Sequence, residues 1–432
     1  MSQEVREPVA TTGTSAGAGT DAGTEAAVRL QRELANEPQG IGDVVRGTIR
    51  RARGGDLGVL PVVGGIVVIW VVFQLTNRSF LSSTNLINLT IDLVPVGVIA
   101  LGIVCVLLVG EIDLSVGSMS GVSAAVLGTV FIRWELPLVL GVLAALAAGA
   151  LVGWIYAQAY NRLGVPSFVI TLAGLLGLLG VQLWVLTGRD GYNLGFDSPI
   201  VRFTSLAFVP AWLAYALVVV AVAASLGLGL AGSRARRAHD LPAVSTQWLL
   251  LRSAVLLLAL AFAVYYLSLK RGVPWLFVCF IGLVLAMQYL LTRTRFGRNL
   301  YAVGGNTEAA RRAGIDVRKV YTSAFVLCSS LAALGGILAA SRLGAATQDT
   351  GTGDVNLNAI AAAVIGGTSL FGGRGTAISA LLGILVIGSI SSGLTLQQLD
   401  SSYRFMITGA VLLLAVALDS VARRSRQASG RG

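Results

Sequence analysis

Three short stretches of this chain hold the residues with chemistry to offer. The first is "GEIDLSVGS", Gly110 to Ser118, which sets Glu111 and Asp113 between two uncharged apolar runs. No general acid or base partner accompanies the pair, so a catalytic role is excluded. Each carboxylate would cost about 2.5–3.5 kcal/mol at the centre of a membrane helix. The stretch therefore reads as a break between two spans. Gly110 and Gly117 allow close backbone approach, and Ser115 and Ser118 are available to cap the next helix. Asp113 has two readings: a cap for the free N–H groups at the start of that helix, or a polar wall of a translocation path or of a partner contact. Glu111 reads as interfacial.

The second stretch is "AVIGGTSLFGGRGT", residues 363–376. Its glycines permit either close helix packing or an unwound segment, which membrane depth tolerates only under a cover of protein or water. In the second case Thr368 and Ser369 belong to the path. Arg374 can reach lipid headgroups or a facing carboxylate. "GGTSLFGG" also echoes "GEIDLSVG", since both are Gly-rich polar breaks between apolar runs; the echo fits an internal repeat and equally a chance likeness of Gly-rich segments.

The third is "RTRFGRNLYAVGGNTEAARRAGIDVRK", residues 293–319, the longest polar segment among the apolar runs. Asn306 suits a helix N-cap, Glu308 falls in the first turn, and Gly314 ends the helix, so "TEAARRA" should be a short helix. Ala309 and Ala310 are small enough to let it approach a partner. The alternative is a solvated basic loop.

Other chemistries are absent. Neither lysine, Lys270 nor Lys319, follows a glycine, so there is no phosphate-binding loop and any ATPase must be another chain. Cys105, Cys279 and Cys328 lie far apart in apolar runs and read as packing residues. His239 stands alone in "GSRARRAHD". No metal or other cofactor is expected.

The elements that carry these stretches are membrane helices. Of 432 residues, 55% are apolar and 12% charged, against about 25% charged in soluble domains, and mean hydropathy is +0.78. The apolar runs are continuous rather than alternating, which favours an all-α polytopic bundle over a barrel. About twelve spans are expected, near 57–75, 94–109, 114–132, 136–160, 166–187, 205–230, 248–267, 274–292, 320–340, 357–371, 376–396 and 404–420, with 357–371 short for a full crossing. Small residues, as in "GVLAALAAGALVG" and "SSLAALGGILAA", predict tight helix packing.

The net charge of +11 sits in tails and connections rather than on a nucleic-acid-binding face. "RGTIRRAR", "GSRARRAH", "RTRFGR" and "ARRSR" all fall on one side if the count is even, which makes both termini cytoplasmic. Arg189, Arg202, Lys270, Arg271 and Arg342 then face outward as scattered exceptions. Residues 1–56 form a cytoplasmic tail, disordered over 1–40, with a basic interfacial helix or an extended flank at 41–53. The membrane domain spans 57–420, and 421–432 is a basic cytoplasmic tail.

"EAARRAG", Glu308 to Gly314, resembles the E-A-A-x-x-x-G signature of permeases of ATP-binding-cassette importers. With "FGRNLYAVGGNTEAARRAGI", "SRLGAATQDTG", "LNAIAAAVIGGTSLFGGRGT" and "GEIDLSVGS", the chain resembles the permeases that import ribose, xylose and related sugars, over roughly residues 57–420. The two spans at 248–267 and 274–292, additional to the roughly ten common in that family, resemble its xylose branch. The resemblance implies a homodimer in the cell membrane and a cytoplasmic ATPase docked on Asn306, Glu308, Ala309, Ala310 and Gly314. It also implies an extracytoplasmic sugar-binding protein and a pentose such as xylose as cargo. The competing readings are an ion-gradient transporter, which predicts carboxylates near mid-membrane, and a non-transporting receptor or scaffold, which predicts a sizeable soluble domain.

Overall fold

The computed structural model describes residues 60–187, 190–239, 241, 243–400, 402–403, 405–410, 413 and 417. The expected tail, its interfacial helix at 41–53 and the basic end at 421–432 lie outside these residues. Of the expected last span only 405–410, 413 and 417 are described, all helical.

In lipid a backbone must satisfy its own N–H and C=O groups, and a helix does so within one segment. The uncharged runs accordingly form α1 (Leu60–Thr76), α2 (Ser83–Leu108), α3 (Val116–Gly128), α4 (Leu138–Gln158) and α5 (Ser167–Val185). Then come α6 (Ala211–Arg237), α7 (Thr246–Ser268), α8 (Trp275–Arg293), α9 (Arg295–Gly305) and α10 (Thr307–Arg312). The series ends with α11 (Val317–Leu343), α12 (Val355–Ile365) and α13 (Ala377–Leu396). Among the described residues, nine helices are long and apolar enough to cross a membrane. The fold is an all-α polytopic bundle with one minor strand pair, β1 (Gly191–Asn193) antiparallel to β2 (Ala345–Thr347), with Tyr192 opposite Ala346.

Two compact units divide the described chain, residues 218–259 and residues 60–217 with 260–417. In the first, the end of α6 lies against the start of α7, with the Ser233 hydroxyl donating to the Val244 carbonyl at 3.4 Å. The second holds the core. There α11 packs on α2, α3 and α4. Small residues set these contacts: Gly149 faces Ala333, and Gly102 lies against the Cys328 backbone. Ser123 donates to the Ala333 carbonyl at 2.8 Å. Such packing supplies the van der Waals contact that a lipid solvent cannot drive hydrophobically.

Three expected boundaries need correction. The second span starts at Ser83 rather than 94, because Asn85, Asn88, Thr90 and Asp92 interrupt the apolar run without interrupting the helix. The expected 357–371 span is helical only over Val355–Ile365, about 16 Å at 1.5 Å per residue, or half a bilayer core of about 30 Å. A series of turns precedes it. From β2, beside Tyr192 and Gly128, the chain runs along α3 to Gly351, which sits against Gly117 and Ser120. Finally, the polar segment 293–319 contains two helices, α9 and α10, where one was expected.

Candidate functional site

All three stretches converge at one end of the bundle. Asn306 caps α10, its side-chain oxygen accepting from Ala309 N–H at 2.9 Å. Gly314 then turns the chain with φ +81, a conformation open to glycine and strained for a β-branched residue. Glu308 pairs with Arg311 at 2.8 Å on the exposed face. Asp316 caps α11, and its hydrogen bond with Lys319 holds the carboxyl below the usual carboxylate range. The exposed face carries Asn306, Glu308, Ala309, Arg311, Arg312 and Gly314. Ala310 is instead 4% exposed and packs into this chain's own core. Of the two alanines expected to meet a partner, only Ala309 is available to one.

α9 was not anticipated, and it joins α10 to the two backbone breaks. A Cβ at Gly304 would overlap the Leu108 carbonyl oxygen and press on the Gly373 amide. Gly373 N–H donates to that Leu108 carbonyl at 2.9 Å. The Phe371 carbonyl and Gly372 face Gly110, itself at φ +83. Tyr301 of α9 donates to the Gly375 carbonyl at 2.6 Å. The two Gly-rich stretches that echo each other in sequence therefore touch, and α9 touches the second of them and the end of α2 that leads into the first. The breaks are covered by protein, as membrane depth requires.

Within the first break, Asp113 is 1% exposed. Its Oδ1 accepts from Ser115 N–H at 2.8 Å and from the Ser115 hydroxyl at 2.7 Å. Ser115 makes no side-chain cap on α3. The Gly117 N–H is taken instead by Asn356 Oδ1, a partner 239 residues away that no local pattern could supply. A Cβ at Gly117 would strike that Asn356 side chain. Glu111 accepts from the Tyr160 hydroxyl at 2.6 Å. In the second break, Ser369 accepts from Phe371 N–H at 3.2 Å, and Thr368 packs beneath Gly375. Asp113, Ser115, Gly117, Thr368 and Ser369 thus build the breaks, and none lines the cavity described next.

That cavity, of about 360 Å³, lies between the first half of α2, the start of α12 and the second half of α13. Asn88, Asp92, Asn358, Ser391 and Thr395 supply its polar wall. Asp92 pairs with Arg342 of α11 at 2.6 Å, and Arg271 donates to Asn88 at 2.8 Å. Two of the basic residues expected to face outward, Arg271 and Arg342, are therefore tied to the polar side of α2. The available signal was the polar period in "NLINLTIDL", Asn85 and Asn88 three apart and Asp92 one turn on, which a search for apolar runs passes over. Among the described residues no group of three His, Cys, Asp or Glu side chains converges to hold a metal.

Comparisons with known proteins agree on one family. The family described as branched-chain amino acid transport system / permease component matches residues 85–416. The chain is 33% identical over 374 residues to the xylose transport system permease protein XylH of Escherichia coli (strain K12), covering 85% of this chain and 93% of that protein. XylH of Haemophilus influenzae is 31% identical over 376 residues, covering 84% and 96%. The ribose import permease protein RbsC of Escherichia coli (strain K12) is 31% identical over 359 residues, covering 82% and 91%. No solved structure matches the chain.

Proposed function

This chain belongs to the permease family of ribose and xylose ATP-binding-cassette importers, multi-pass membrane proteins rather than enzymes, and from that premise we propose that it carries a sugar, a pentose such as xylose, into the cell on ATP hydrolysed by a partner. The observation that carries the coupling part is the junction at Gly304. A docked ATPase would push on Asn306, Glu308, Ala309 and Gly314, and α9 passes that push to Leu108 and Gly373 through the close backbone approach at Gly304. Backbone against backbone leaves no side chain to re-pack, so a displacement at the surface is transmitted. Two copies of the chain would form the pathway, both termini would lie with α9 and α10 in the cytoplasm, and a sugar-binding protein would deliver cargo to the opposite face.

A specific observation keeps the ion-gradient alternative in view, because Asp92 places a carboxylate within a membrane helix. Its charge is already matched by Arg342 at 2.6 Å, which suits a fixed pair better than a titrating ion site.

The test is uptake into proteoliposomes holding the permease with its copurifying ATPase and binding protein. ATP-dependent accumulation of radiolabelled D-xylose or D-ribose, with none of L-leucine, is the expected result. Accumulation that follows a proton or sodium gradient without ATP would replace this reading with the alternative.

A further inference from the structure

We propose that the cavity between α2, α12 and α13 is the outer vestibule of the transport path, and that it recognises its cargo as a neutral polyol. This rests on the sugar-importer reading and adds the residues that touch the sugar.

Position comes first. α13 runs from Ala377, beside the α9 junction, to Leu396, and the cavity lines its far half from Ile384 onward. On α2 the cavity begins at Asn85 and ends at Val96. Asp92 therefore lies about 24 Å of helix from Leu108 at the junction, at 1.5 Å per residue. The cavity sits at the end of the bundle opposite the coupling helices, the end at which an imported sugar arrives.

Chemistry comes second. Amide and hydroxyl side chains both donate and accept, and so does each hydroxyl of a sugar. Among the described residues no intramolecular hydrogen bond occupies Asn88 Nδ2, Asn358 Oδ1 or the Ser391 hydroxyl. Those groups are available to a ligand. Asp92 is the one charged residue of the lining and its charge is matched by Arg342; the Arg271 guanidinium lies behind Asn88, bound to its side-chain oxygen, so no lining residue itself presents an unmatched charge to a zwitterionic amino acid. Lining residues include no aromatic ring, hence no stacking platform. Such a site holds its ligand weakly, as a path must if the ligand is to leave it. At about 360 Å³ the space is at the small end of ligand pockets, roughly 300–1,000 Å³.

Asp92 and Arg342 are positioning residues in this account. They keep the vestibule lining neutral, and removing either one leaves the other's charge without its partner beside the cavity.

The experiment uses the full complex in proteoliposomes, with D-xylose and D-ribose as probes. Ser391→Val and Asn358→Leu replace hydrogen-bonding groups with apolar ones, and each should slow uptake about tenfold at normal assembly. Asp92→Asn should do the same, and Asp92→Asn with Arg342→Gln should recover to within about threefold of wild type, because neutrality returns. A second readout is independent of transport rate. Cys105 and Cys328 are buried and Cys279 is exposed, so Ser391→Cys in a Cys279→Ser background offers one accessible thiol. A membrane-impermeant methanethiosulfonate added outside should label it, and the transported pentose, but not L-leucine, should slow that labelling. If wild type moves neither pentose, the pentose reading of the proposed function falls and the vestibule, argued for that cargo, falls with it. If wild type moves one of them while both wall variants match its rate, or sugar leaves the labelling unchanged, the vestibule alone is overturned.

Discussion

At the α9 end of the bundle, the carbonyl of Leu108, the amide of Gly373 and the Cα of Gly304 meet with no side chain between them. At the other end, Asn88, Asp92, Asn358 and Ser391 stand around open space. The same helices, α2 and α13 with the α12–α13 connection, build both ends, so the contrast lies in residue size rather than in architecture. Backbone contact makes a stiff joint, in which any added atom must displace main chain. Polar side chains around a void make an adaptable surface, in which a substitution changes chemistry before it changes the fold. The two kinds of construction suit a part that transmits motion and a part that meets cargo.

The sharpest way to break this contrast is to add bulk at the joint. Gly304→Val places a Cβ on the Leu108 carbonyl and should give the largest loss of folded permease of any change discussed here. Overpacking costs about 1–3 kcal/mol even where side chains can yield, and here the obstacle is backbone. Gly305, its neighbour, has nothing within 4 Å of an added Cβ, so Gly305→Ala should be silent. Abundance and thermal unfolding in detergent distinguish them. Equal behaviour of the two variants would mean that the joint is not stiff.

Two smaller changes test whether the breaks are held by their caps. Asp113→Leu strands the Ser115 N–H and hydroxyl in a buried site, at about 1–3 kcal/mol for an unsatisfied group. Asp113→Asn keeps an acceptor and should be tolerated. Loss of transport in well-folded Asp113→Asn would show that the carboxylate itself has a role. Asn356→Leu removes the acceptor for Gly117 N–H, and loss of a helix cap costs about 0.5–2 kcal/mol. The melting temperature should fall less than for Asp113→Leu, because only one donor is stranded; a larger fall would point to a second role for Asn356 within α12.

These caps also mark where the sequence was legible. Asn306 and Gly314 act on residues within a turn of themselves, and their local pattern states what they do. The apolar runs are long enough that their helices follow from lipid alone. Asn356 acts on α3 from across the fold, and nothing near Gly117 names it. The start of α2 was hidden for a related reason. Its polar residues face a cavity made by α12 and α13, and without those partners "NLINLTIDL" looks like a connection. α9 is masked by its composition: Arg295, Arg298 and Asn299 make the segment polar as a whole, although the residues it buries, Gly297, Leu300 and Val303, recur at helical spacing.

The smallest structural effect belongs to the face that should carry the largest functional one. Glu308 is exposed, and its only described partner is Arg311 at 2.8 Å, both side chains more than 60% accessible (65% and 63%). A pair so exposed is worth about 0–1 kcal/mol, and a first-turn acid adds about 0.3–1 kcal/mol through the helix dipole. Glu308→Lys should therefore leave abundance and melting temperature close to wild type. It reverses a charge on a face already carrying Arg311 and Arg312 beside it, the face proposed to meet an ATPase. Gly314→Val strains the turn at φ +81 without meeting any neighbour, and should act in the same sense. Both are measured by sugar-stimulated ATPase activity of the reconstituted complex alongside permease abundance, with stimulation expected to collapse while abundance holds. Retention of full stimulation and uptake by both variants would remove α10 from the coupling path and leave the stiff joint at Gly304 without an input.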